Sequence, residues 1–249
     1  MMCASAGRVC AYNAGMRIMP IVLTFMCCAV AVADDAALSR VLNEAVKSER
    51  VDYGSVKANH LPDLTSWLDT AATVDVKSLA DKDRLAFYIN LYNATMIAAV
   101  IDKNHLTFKP SDNDFAVFKE PRVKLKTGVI TLDDLENKII RPEFKDERIH
   151  VALVCGAVSC PPLLSKAYDG ATLDRQLDEN VAHWLIDPSR NVIDDASRTL
   201  KLSKIFEWFA ADFGGSEAIA GWVGRKSGRD VTGYRVEFLD YDWSLNSAK

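Results

Sequence analysis

The stretch Asp81-Lys82-Asp83-Arg84-Leu85-Ala86-Phe87-Tyr88-Ile89-Asn90-Leu91-Tyr92-Asn93-Ala94-Thr95-Met96-Ile97-Ala98-Ala99-Val100-Ile101-Asp102 decides how this chain folds. Leu85, Tyr88, Ile89, Tyr92, Met96 and Ala99 recur at steps of three and four, the period of a helix face, while Phe87, Leu91, Ala94, Ile97 and Ala98 fill the faces between. A helix apolar nearly all round has no side to give to water, so this one is read as central and buried. Ser78, three residues before Asp81, has the spacing of a capping box at its start. Asn90 and Asn93 stand three apart and share a face, where each carboxamide must find partners or destabilise the fold. Either they line a polar pocket together with Tyr92 and Arg84, or they bond loop backbone and tie the core.

Outward from that helix the period changes repeatedly. Residues 36–48, 62–71, 132–140, 172–186, 205–209 and 218–223 carry helical spacing. Thr131 or Asp133 can cap the helix at 132, whose first turn holds Asp133, Asp134 and Glu136. Short β-type runs fall at 117–118, 123–125, 128–131, 191–193, 199–202 and 234–239, and Ile149 to Val154 is a near-continuous apolar run read as a central strand. Helices and strands do not alternate regularly, so the fold class expected is α+β: a single helix-rich domain, with the central helix packed on a small mixed sheet.

The N-terminus reads as an export signal. Met16-Arg17 supplies the cationic start, Ile18 to Val32 an apolar core too short for a stable membrane span, and Ala31-Val32-Ala33 a small-residue cleavage site. Residues 1–15 lack this pattern, which places the initiator at Met16 or Met19. Two units are expected, a signal peptide over 1–33 and a globular domain over 34–249, the latter periplasmic or secreted and without a transmembrane segment. Residues 1–33 hold Arg8 and Arg17 and no acid, so the rest holds 28 basic against 34 acidic groups, a net charge of −6. Nucleic acid is therefore excluded as an expected partner, and a small molecule or an envelope protein takes its place.

Of six cysteines, Cys3, Cys10, Cys27 and Cys28 leave with the signal, and Cys155 and Cys160 remain. An even pair in an oxidising compartment reads as a disulfide. The enzyme alternative is a thiol hydrolase or transferase in which Cys160 is the nucleophile, His150 its base and Glu136 the group that orients the base. Cys155 lies five residues from His150, so on a strand the two would face opposite sides. The cysteine spacing lacks a second ligand pair, so no metal and no cofactor is expected. His60, His105 and His183 are read as solvated, and Trp67 and Trp184 as core.

Several motifs in order resemble one family. They are Arg84 to Ala94, Leu132-Asp133-Asp134-Leu135-Glu136 with Arg141, Arg148-Ile149-His150 leading to Cys155-Gly156-Ala157-Val158-Ser159-Cys160-Pro161-Pro162, Leu202 to Trp208, and the tail Asp240 to Asn246. Together they are similar to the domain of unknown function 547 family over residues 81–246. The resemblance implies an uncharacterised domain of exported bacterial and of plant proteins, with Asn90, Asn93, Glu136, His150, Cys155 and Cys160 at motif positions. Asn137 departs from the pattern, which often has histidine there. The combined expectation is a binding or scaffold module with a structural disulfide and a polar pocket between the Asn90/Asn93 helix, the Glu136 helix and the Cys155–Pro162 turn. The rival is the thiol enzyme.

Overall fold

Helix Asp81–Asp102 runs through the protein and buries residues on every side, from Leu85 to Ile101 with only Ala98 less covered. The computed structural model describes residues 34–103 and 106–248, so the expected signal peptide and His105 lie outside the described residues. Around the helix pack Asp35–Ala45 through Leu38, Val41 and Leu42, Leu61–Ala71 through Leu64 and Trp67, and the segment after Thr131 through Leu132, Leu135 and Ile140. By length and hydropathy Asp81–Asp102 could cross a membrane, but nearly all of it is covered by this chain's own side chains.

The architecture is α+β. Strands β1 (Val46–Lys47) and β2 (Arg50–Val51) form a minimal hairpin, and β3 (Pro121–Leu125) pairs antiparallel with β4 (Gly128–Thr131). Strands β5 (Val192–Asp194), β6 (Thr199–Leu202) and β7 (Arg235–Phe238) make a mixed sheet in which β6 is central, antiparallel to β5 and parallel to β7. The buried helix touches β3 of the hairpin. The mixed sheet instead gives Leu200 and Leu202 to a second apolar cluster with Val181, Trp184, Phe206, Phe213 and Trp222. Helix Leu173–Ile186 joins the two clusters, with Leu173 and Leu177 in the first and Val181, Trp184 and Leu185 in the second.

Three local expectations are corrected. Ile149–Val154 is no strand: residues Glu147–Val151 form a 3₁₀ turn and the chain then runs on irregularly, although Ile149 to Val154 are all buried. The Ile149 carbonyl accepts from the Ala152 and Leu153 amides of the turn, and side chains meet the groups that follow in place of a neighbouring strand. Asn93 Nδ2 donates to the Ala152 carbonyl and Asn93 Oδ1 accepts from the Val154 amide, both at 2.9 Å, while Asn180 Nδ2 donates to the Val151 carbonyl. An apolar run records burial and not the partner that meets its backbone. Val117 and Phe118 lie in the helical turn that ends Asp112–Lys119, after the left-handed residues 113–115, where two apolar residues were too few to show a period. No side chain caps Asp81–Asp102: Ser78 Oγ bonds the Asp75 carbonyl, and Asp81 pairs with Arg84.

Candidate functional site

The seam between the two clusters opens into a cavity of about 320 Å³, within the range of small-molecule sites. Helix Leu132–Asp134, capped by Thr131 Oγ1 on the Asp134 amide at 2.9 Å, continues as the π-helix Leu135–Ile140 and then as Arg141–Phe144. Leu132, Leu135 and Ile140 turn into the core, leaving Asp133, Glu136 and Asn137 to face the cavity. Burial pushes the Glu136 carboxyl up to about 7 against the opposing charge of Arg141, and the Tyr92 hydroxyl hydrogen bonds to it. Burial likewise raises Asp133, with Lys119 acting against it. Neither carboxylate has a lysine or arginine within ion-pair distance among the described residues.

His150 closes another side. Its neighbours Ile149 and Val151 belong to different clusters, which places the imidazole at the seam, stacked 4.0 Å from the Phe209 ring. Nε2 lies 2.7 Å from Asp212 Oδ2. Arg141 grips the same carboxylate with Nε at 2.6 Å and Nη2 at 3.0 Å, and its Nη1 donates to Asn137 Oδ1 at 2.7 Å. Burial would raise Asp212, but the hydrogen bonds from Arg141 and His150 outweigh it and hold the carboxyl below its ordinary range. Burial lowers His150 to about 4, more than Asp212 can offset. The ring is therefore neutral at pH 7, and facing an ionised acceptor it carries its proton on Nε2.

Cys155 and Cys160 form a disulfide at the cavity wall, with Cα atoms 6.2 Å apart. The loop it closes turns at Gly156, whose φ of 82° is one that residues with a β-carbon rarely adopt, and a β-carbon there would also come within 3.2 Å of the Met96 methyl. That loop holds the C-terminal tail: the Val158 amide donates to the Ser244 carbonyl, the Ser159 amide to the Asp242 carbonyl, and the Asn246 amide to the Gly156 carbonyl. The tail thereby brings Tyr241 Oη within 3.3 Å of Cys155 Sγ and 3.4 Å of Cys160 Sγ, and sets Trp243 beside it. Trp208 stacks on Trp243 at 5.7 Å and Phe115 meets Trp243 edge-on at 4.8 Å. Phe115 reaches this position from three successive left-handed residues, Asn113, Asp114 and Phe115, a conformation that costs roughly 1–2 kcal/mol per residue. Strain of this kind collects where position matters.

Residues 76–185 match the model of the family described as protein of unknown function, DUF547. The chain carries a DUF547 domain. No curated protein and no solved structure matches it. The DUF547 match takes in the buried helix, Glu136, His150 and both cysteines; Trp208, Tyr241 and Trp243, which complete the same cavity, lie beyond it, as does Asp212, which holds His150.

Of the residues singled out from sequence, Tyr92, Glu136, His150, Cys155 and Cys160 meet at the cavity. Asn90, Asn93 and Arg84 do not line it. Asn90 is clamped to Tyr168, donating to its carbonyl and accepting from its amide, each at 2.8 Å, much as Asn93 is clamped to the 152–154 backbone. Arg84 pairs with Glu143 at 2.6 Å and Asp81 at 2.8 Å. Their shared helix face meets loop backbone, so the pocket is bounded by Tyr92 instead. Glu136 is also not the partner of His150; Asp212 holds that place, 62 residues further on, where no local spacing could have marked it. Trp67 and Trp184 are buried, whereas Trp208 is 46 % exposed at the cavity rim. Tyr241 and Trp243, two apart in an extended tail, carried a usable signal for a shared face. His183 pairs with Glu49 at 2.5 Å.

With the disulfide intact, alkylation of unreduced, unfolded protein should modify neither Cys155 nor Cys160, and two labels should appear after reduction. Closure of so short a loop contributes about 2 kcal/mol in the chain-entropy account, so the Cys155→Ser/Cys160→Ser double variant should lose about that much stability. Labelling before reduction would show free thiols instead.

Proposed function

We propose that this chain is an envelope binding module whose ligand occupies the cavity between Glu136, His150 and the Trp208–Trp243 wall. The observation that carries this reading is an aromatic-walled space of about 320 Å³ into which a few polar groups converge, backed by the disulfide and by two clusters of core. Its polar groups are held by others behind them, His150 by Asp212 and Asp212 by Arg141, an arrangement that presents a fixed surface to a ligand. Screening amines, amino acids, sugars and short peptides by tryptophan fluorescence should find a saturable ligand that also raises the melting temperature. Asn137 is exposed at the cavity. Asn137→Trp should fill the space and abolish binding in a folded protein; unchanged binding would place the ligand elsewhere.

Action outside the cytoplasm is part of the same proposal, supported by the ordered signal elements and the disulfide. Protein recovered from the native envelope should have an intact mass that begins at Asp34, and a membrane-bound chain retaining Ile18 to Val32 would overturn it.

One observation favours a second reading, a thiol-dependent hydrolase or transferase. Cys160 and the neutral His150 line one cavity, with Asp212 orienting His150 from behind, so reduction of the disulfide would place a nucleophile and a base on the same space. Under a dithiol reductant that enzyme would show a Cys160 thiol titrating well below about 8.5, lost in His150→Ala. An ordinary thiol excludes it.

A further inference from the structure

We propose that the cavity takes a small methylated ammonium cation, seated between the Asp133 and Glu136 carboxyls and the ring faces of Phe115, Trp208, Tyr241 and Trp243. The inference rests on the binding reading above and names its ligand class.

Charge complementarity selects the occupant. Asp133 and Glu136 stand three apart on one helical face and both line the cavity. The nearby cations are committed elsewhere. Arg141 is bound to Asp212 and Asn137, Lys119 to the Asp114 carbonyl and carboxylate at 2.6 Å, and Arg190 to Glu49 and Asp187. Of the hydroxyls, that of Tyr92 is bonded to Glu136 and that of Tyr241 lies against the disulfide sulfurs. An anion entering here would meet two acids and, among the described residues, no lysine or arginine lining the cavity. A cation would meet two acids and several rings, whose faces carry the negative side of the aromatic quadrupole. The rings are close enough to act on one group, with Trp208 to Tyr241 at 4.8 Å, Tyr241 to Trp243 at 4.6 Å and Phe115 to Trp243 at 4.8 Å. Methyl groups on the nitrogen would fill the apolar surface that a bare ammonium leaves unmatched, and would lower the cost of stripping its water.

A proton is coupled to this event. The groups facing Glu136 are Tyr92, Asp133, Arg141, Asp212 and Tyr241, and its carboxyl holds a proton up to about pH 7. A cation favours the ionised form, so binding releases that proton, and affinity rises as pH increases through about 7.

The full chain is titrated with choline, with its neutral carbon isostere in which a quaternary carbon replaces nitrogen, and with glucose, while tryptophan fluorescence and heat are recorded at pH 5.5 and 8. Choline should bind saturably, more tightly at the higher pH, and the isostere should bind at least about tenfold more weakly. Glu136→Gln and, separately, Trp208→Ala should each weaken choline about tenfold, while Trp208→Tyr, which keeps a ring face, should retain most of the affinity. Trp208 is half-exposed, so its truncation leaves the fold intact even if Glu136→Gln does not. Equal binding of choline and the isostere, or binding of glucose but not choline, overturns the cation proposal while the binding module stands. No saturable response to any solute, in this titration or in the wider screen, brings down both.

Discussion

Replacing Asn90 and Asn93 together by leucine should unfold the protein. Each carboxamide supplies a donor and an acceptor to loop backbone, Asn90 at Tyr168 and Asn93 at Ala152 and Val154, and all four bonds are buried. Leucine is close in size and suits the apolar helix, so packing alone would tolerate it. The loss falls on the backbone groups, each left without a partner away from water at roughly 1–3 kcal/mol. Four such groups sum to a figure comparable with the whole net stability of a domain, about 5–15 kcal/mol. Circular dichroism melts should show no cooperative transition, or one lowered by more than ten degrees or so. The single Asn93→Leu variant should also lose the cavity, because the 152–154 segment it holds leads into Cys155. A double variant that melts like the natural chain would show that water reaches these groups and that the clamps are dispensable.

Glu136→Gln should produce the largest pH-dependent change in stability. The carboxyl is raised from 4.5 to about 7 by burial, with Arg141 and Tyr92 opposing and Asp133 and Asp212 adding to the rise. Between those two values the folded state holds a proton that the unfolded chain has released, so its stability falls as pH rises through this window and is lowest above it. Glutamine has nothing to titrate. The variant's stability minus that of the natural chain should therefore grow from about pH 4.5 to about pH 7 and then level off, reaching on the order of 3 kcal/mol. His150 works in the opposite sense. Its value falls from 6.5 to about 4, so the folded state lacks a proton that the unfolded chain takes up, and acid destabilises through that range. The term is common to both proteins and cancels in the difference, which urea midpoints across pH 4 to 8.5 would give. A difference that does not change with pH would mean that Glu136 titrates as an ordinary carboxyl and is well solvated.

How much of this was legible beforehand depended on distance along the chain. The all-round apolar pattern of Asp81–Asp102 sufficed to make it the buried helix, because burial of a helix is recorded in its own residues. The α+β class, the Thr131 cap and the pairing of the two cysteines were equally local. Backbone partners were not. Ile149 to Val154 shows its burial in its composition, but whether a strand or a carboxamide meets its peptide groups depends on Asn93 and Asn180, which reach it from two separate helices.

The candidate site divides along the same line. Glu136, His150, Cys155 and Cys160 stood out as residue types in suggestive settings, and Tyr92 lay on the helix that faces them. Tertiary structure alone decided that Asp212 holds His150, that Arg141 is spent on Asp212, and that Tyr241, Trp243 and Trp208 assemble into one wall. Each of those contacts joins segments at least thirty residues apart, and side-chain chemistry favours many such pairs equally. Helical periodicity is set by bonds four residues long and so is written in the chain. The pairing of a histidine with one aspartate among many is set by which surfaces the two apolar clusters bring together, and that exists only once they have packed.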